Sequence, residues 1–203
     1  MTLNPEFKNL CERWREKAKN YKKEELPELF DKFFSLYVVY NALYGETAAY
    51  LSRKAKANGT NDHKLEGDTF PDDKAATQYV ISFLTSRGLL QSLEANESTK
   101  EAINQIKMLI GKDNNFRFRI CVHPVSGEHL PNEDNELSQS LNSDDNGKKA
   151  KAILKLIYRT RCNMFHGRKG FEPVQRELLV SLSIILEKIV DQLYRKLDSS
   201  EHY

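Results

Sequence analysis

Cysteine is scarce in this 203-residue chain: Cys11, Cys121 and Cys162 stand far apart and are odd in number. Such spacing excludes a disulfide framework and favours a reducing compartment. Long hydrophobic runs are also missing. The longest apolar-rich stretch, Leu36–Leu43, is broken by Asn41 and is too short to span a bilayer. The first residues, Met-Thr-Leu-Asn-Pro-Glu-Phe-Lys, show no basic region followed by an apolar core, so no signal peptide is expected. The expectation is a cytoplasmic protein with no membrane partner. Net charge is low too, at +2, which excludes a polycation that coats nucleic acid over its whole surface. No internal repeat is evident.

What the chain does have is helical periodicity. Phe7, Leu10, Cys11, Trp14, Ala18 and Tyr21 recur at spacings of three and four, which predicts a helix over 5–23. A longer helix is expected over 28–57. Its first half is apolar nearly all round, from Leu29 to Tyr44, so it belongs at the centre of the fold. Asp31, Asn41 and Glu46 are its polar exceptions, and Gly45 marks a kink or a close approach. A third helix is expected over 150–165. A fourth is expected from 172 or 173 to about 197, carrying Leu178, Leu182, Ile185, Ile189, Leu193 and Leu197.

The long segment 58–147 reads as an insertion between the second and third of these helices. Residues 58–73 read as loop, and helices are predicted over 74–86 and 98–110, ending near Gly88 and Gly111. Residues 116–122 alternate apolar and basic side chains, which argues for a short extended segment. Residues 126–147 are polar and acidic and read as a long loop. The expected fold is a single all-α domain over 1–203, an elaborated up-down helical bundle.

The densest chemistry lies at the end of the third helix, Tyr158-Arg-Thr-Arg-Cys-Asn-Met-Phe-His-Gly-Arg-Lys169. On a helical wheel Ile153, Leu154, Ile157, Tyr158, Met164 and Phe165 fall in one apolar arc, while Arg159, Asn163 and His166 share another face. Arg161 lands inside the apolar arc. A buried guanidinium needs a partner, and Asp31 and Glu46 are the expected ones. Residues 148–176 hold nine Lys or Arg against one acid, Glu172, a local balance of +8. Such a concentration around a histidine suits an anionic substrate, most commonly a phosphodiester. Histidine supplies acid–base chemistry and arginine holds a charged phosphate, so these two residue types suffice to cleave RNA without metal. The same residues are also what a helix end uses to complement its dipole, with a capping glycine. Cys121, His123 and His129 match no common zinc spacing, so neither a metal nor another cofactor is expected.

Arg161-Cys-Asn-Met-Phe-His-Gly167 resembles the signature of the HEPN superfamily, an arginine and a histidine separated by four to six residues near the end of a late helix. The lead-in Ile157-Tyr-Arg-Thr-Arg161 and the second-helix phrase Phe33-Phe-Ser-Leu-Tyr-Val-Val-Tyr-Asn-Ala-Leu-Tyr-Gly45 are similar to a prokaryotic subgroup. The resemblance covers the second helix and the last two, and says little about 58–147. It implies a helical homodimer whose paired motifs face each other across a cleft and cut RNA without metal. By that resemblance Arg161 steadies the scissile phosphate and His166 is the acid–base. Asn163 would position RNA or the histidine, and Arg159, Arg168 and Lys169 are the further residues expected to bind RNA, with Asn41 and Glu46 behind them. Two positions depart from the pattern: Cys162 stands where a polar residue is common, and Arg168 replaces a tyrosine that some toxin members carry. Arg159 also fits the longer arginine–histidine spacing, so either arginine can be the functional one. The expected function is a metal-independent endoribonuclease that leaves 2′,3′-cyclic phosphate ends, in a toxin–antitoxin or anti-phage defence role. An antitoxin or defence-system protein would be its partner. The alternative is a non-catalytic module of the same type that binds RNA, a nucleotide or a partner protein.

Overall fold

The computed structural model describes residues 3–22, 25–60, 71–110, 119–123, 125–165 and 175–199. Helix α1 is Pro5–Asn20; the Asn4 side chain caps it by accepting from the Glu6 amide at 2.8 Å, and proline fits its first turn. Helix α2, Leu26–Ala57, follows. Its apolar girdle is buried as expected: Phe33, Leu36, Tyr40 and Leu43 are each at most 1% exposed. Helices α3 (Asp72–Lys74) and α4 (Val80–Leu84) are joined by a π-helical turn, Ala75–Tyr79. Then come α5 (Ser86–Glu94), α6 (Glu97–Leu109), α7 (Pro131–Leu141), α8 (Asn146–Phe165) and α9 (Gln175–Ser199).

Side-chain pairings set the directions of the four long helices. Trp14 meets Phe34, while Leu3, Phe7 and Leu10 share a groove with Glu46, so α1 and α2 are antiparallel. Phe34 meets Phe165 and Tyr37 meets Arg161, so α2 and α8 are antiparallel. Arg15 pairs with Asp191 and Lys8 with Asp198, so α1 and α9 are antiparallel. The architecture is an all-α bundle with an up-down core, closed by one apolar cluster drawn from all the long helices. Every apolar α9 position picked out by its spacing is buried, from Leu178 to Leu197. Among the described residues no helix is long and apolar enough to cross a membrane.

The insertion differs from its sequence reading in four places. Asp72 and Asp73 open a helix rather than ending a loop, because two acids behind a proline suit a helix N-terminus. Gly88 does not end a helix. It sits in the first turn of α5, where its amide donates to the Thr85 hydroxyl at 3.1 Å. Residues 126–147 are not a long loop, since α7 occupies their middle with Leu137 and Leu141 buried. The extended segment is reduced, among the described residues, to an isolated antiparallel bridge between Val122 and His129; residues 116–118 lie outside them. Gly45 does not interrupt α2, which runs on through it, and among the described residues no close approach calls for it, because nothing lies within 4 Å of where a Cβ would stand.

Candidate functional site

Arg161 is held at the meeting of α2, α3 and α8. Its guanidinium carbon lies 4.4 Å from the Phe165 ring centroid and 5.3 Å from that of Tyr37. These aromatic faces accommodate a cation on the apolar arc of the helix, which resolves its misplacement on the wheel. Its carboxylate partner is Asp72, with Oδ2 3.8 Å from Nη1. Neither Glu46 nor Asp31 has that role. Glu46 pairs with Arg53 at 2.8 Å beside α1, and Asp31 is exposed. The sequence could not nominate Asp72, because the distance that matters is spatial and 89 residues separate the two in the chain.

Asp72 continues into a polar chain. The Tyr44 hydroxyl meets both Asp72 Oδ1 and the Asn41 side-chain amide. A phenol has one proton to give, and the carboxylate is the stronger acceptor. The Asn41 amide oxygen is the other acceptor within reach, so the single proton serves one of the two at a time. Burial first, then the neighbouring Tyr37 and Asp72, hold the Tyr44 phenol far above its ordinary pKa, so it stays a proton donor. Asn41, Tyr44, Asp72 and Arg161 thus form one connected set. The guanidinium retains unused capacity, since its Nε is buried and makes no hydrogen bond among the described residues.

Asn163 is elsewhere. It is 2% exposed, and its Nδ2 donates to the Ile120 carbonyl at 2.9 Å. The outward face expected for Arg159, Asn163 and His166 is therefore corrected at Asn163. Ile120 is anchored in turn: Asp134 accepts from the Ile120 and Cys121 amides at 3.1 and 2.7 Å, and its Oδ2 lies 2.7 Å from His129 Nε2. Asn163 braces α8 against this segment and is not presented to a ligand. Phe165 is corrected in the opposite sense; it is 51% exposed rather than buried.

Arg159 lies 3.5 Å from Glu133, which Lys155 also approaches at 3.6 Å. Lys149 pairs with Glu94 at 3.7 Å. With Asp72 on Arg161, acids from α3, α5 and α7 answer much of the basic charge on α8. The local excess in space is thus smaller than +8. Lys148, Lys151 and Lys155 face an open groove of about 430 Å³ between α7 and α8, where Glu136 also lies. His166, Arg168 and Lys169 lie outside the described residues. Among the described residues no group of three or more His, Cys, Asp or Glu is arranged to hold a metal ion. Burial holds the Cys121 thiol up at about 12, beside Asp134.

Of the residues singled out in the sequence, the fold brings Arg161 and Asn41 into one cluster and leaves Glu46, Asn163 and Arg159 in others. Asp72, Tyr44 and Tyr37 are the members that sequence reasoning missed. The one available signal was the Pro71-Asp72-Asp73 helix start. No protein-family model, no curated protein and no solved structure matches this chain.

Proposed function

We propose that the chain is a metal-independent endoribonuclease of the HEPN type, acting as a pair of copies in a toxin–antitoxin or defence setting. The observation that carries the reading is Arg161. It is a half-buried guanidinium on an aromatic floor; among the described residues its only carboxylate stands at a loose 3.8 Å and its Nε makes no hydrogen bond. A phosphate offers closer charge-assisted hydrogen bonds than that carboxylate gives. Five residues on in the sequence, His166 supplies the acid–base.

In this reading His166 takes the proton of the 2′-hydroxyl, whose oxygen attacks the adjacent phosphorus in line. Arg161 neutralises the charge that grows on the non-bridging oxygens. The bond to the 5′-oxygen breaks as that oxygen takes a proton from the histidine of the second copy, leaving a 2′,3′-cyclic phosphate and a 5′-hydroxyl. A second copy contributes its own arginine and histidine across the cleft. Tyr44, held protonated, keeps Asp72 in place by donating to it.

The test is incubation of the purified protein with mixed RNA in excess chelator, followed by analysis of the new ends. Cyclic-phosphate ends that disappear in Arg161→Ala and His166→Ala support the enzyme. RNA retention without cleavage supports the non-catalytic binding module instead.

A further inference from the structure

We infer that a single internal water, held between the Thr160 hydroxyl and the Gln175 side-chain amide, pins the first turn of α9 to the last turns of α8. A cavity of about 10 Å³ lies where these helices meet, with room for one water molecule. Its polar lining, among the described residues, is Thr160, Asn163 and Gln175; the rest is Ile120, Met164 and two leucines of α9. Thr160 is 7% exposed and Gln175, the first residue of α9, is 5% exposed. The Thr160 Oγ1 and the Gln175 Nε2 are both buried, and neither makes a hydrogen bond among the described residues.

A helical threonine often returns its hydroxyl to the carbonyl one turn back, and Thr160 does not. Buried polar groups left without partners are costly, and two of them on one cavity share a single remedy. The chemistry of the lining selects the occupant. No charged side chain faces the cavity among the described residues, so an ion would find no counter-charge there. An apolar occupant would leave both polar groups unsatisfied. Water donates and accepts, so it serves the hydroxyl and the amide whichever way the amide is turned. Asn163 offers a third contact, since its nitrogen is engaged with the Ile120 carbonyl and its oxygen remains. Two to four polar partners are what an internal water requires. The role in the proposed site rests on the endoribonuclease reading. His166 is the first residue of the connection from Phe165 to Gln175. Asn163 fixes the α8 end of that connection against Ile120, and the water fixes the α9 end. Thr160 and Gln175 are then positioning residues for the acid–base and touch no substrate.

Thr160→Val keeps the shape and removes the hydroxyl, whereas Thr160→Ser keeps the hydroxyl. Oxygen-17 magnetic relaxation dispersion of the full-length protein counts long-lived internal waters, and thermal unfolding gives the sign of the energetic change. The expected result in Thr160→Val is one long-lived water fewer and a Tm lower by about 2–4 °C. Thr160→Ser should retain the water, and Gln175→Met should lose it. An unchanged water count in Thr160→Val overturns the bridge. So does a Tm that holds or rises, as when a methyl group replaces a hydroxyl that had no partner. Neither readout involves RNA, so the bridge is tested whether or not the protein cleaves. The positioning role is read in single-turnover cleavage. The rate should fall several-fold in Thr160→Val at unchanged RNA affinity, and recover in Thr160→Ser. An unchanged rate in a variant that has lost the water overturns that role and leaves the bridge. Absence of cleavage by the parent removes the nuclease and this role with it, again leaving the bridge.

Discussion

Asp72 Oδ2 lies 3.8 Å from Arg161 Nη1, and Asp72 reaches that position from the insertion rather than from a long helix of the bundle. The insertion thus supplies the counter-charge to the arginine at the centre of the proposed site. Asp72 and a substrate phosphate would compete for the same guanidinium.

Asp72→Asn keeps the shape and removes the charge. RNA affinity measured in a non-cleaving background should rise several-fold, with the largest gain at low salt. Stability in urea should change by less than about 1 kcal/mol, because this ion pair is partly exposed. Unchanged or weaker binding would show that Asp72 does not compete with the substrate.

Asn163→Ala should behave in the opposite way. The change leaves the Ile120 carbonyl buried without its donor, at a cost of about 1–3 kcal/mol. Denaturant titration should show the loss, while RNA affinity of the folded protein stays near that of the parent. A large affinity loss without destabilisation would return Asn163 to the substrate-binding set.

Gly45→Ala should stabilise the protein by roughly 0.5–1 kcal/mol, since the position is in the interior of α2 with open space where the methyl group would go. Thermal unfolding checks it through a rise of a few degrees. A fall would mean that the glycine meets something in the assembled state.

Alkaline pH should destabilise the fold. Burial raises the phenol pKa values of Tyr37, Tyr40, Tyr44 and Tyr158, and the Cys11 thiol to about 11. In the unfolded chain these groups ionise near their ordinary values, about 10 for tyrosine and about 8.5 for cysteine. Above those values the folded state binds more protons than the unfolded one, so stability is intact below about pH 8.5 and falls as pH rises further. Chemical denaturation between neutral pH and pH 11 should show that loss, with the tyrosinate absorbance of the buried phenols appearing together with unfolding.

The long helices were legible because burial imposes a period on sequence. The all-round apolar run from Leu29 to Tyr44 specified a central helix, and the Leu178–Leu197 spacing specified one packed on its inner face. Some of the errors trace to one element that periodicity could not reveal. Only Leu137 and Leu141 mark the apolar side of α7, so its sequence reads as acidic loop. Once α7 and Ile120 are in place they meet the side of α8 that carries Asn163 and Arg159, burying Asn163 and giving Arg159 an acidic neighbour in Glu133. Asp72 was hidden for a different reason: an ion pair between residues far apart in the chain leaves no local pattern. The Arg161 mismatch on the wheel was readable and correctly demanded a partner, but the two carboxylates expected for it, Asp31 and Glu46, were the wrong ones.

The central claim is that Arg161 and His166 together cleave RNA without metal. The most direct measurement is the end chemistry of RNA incubated with the purified protein in excess chelator, for the parent, Arg161→Ala and His166→Ala. The account predicts 2′,3′-cyclic phosphate ends from the parent and their loss in both variants, with each variant as stable as the parent to within about 1 kcal/mol. Absence of cleavage by the parent, or cleavage that survives either substitution, would contradict it.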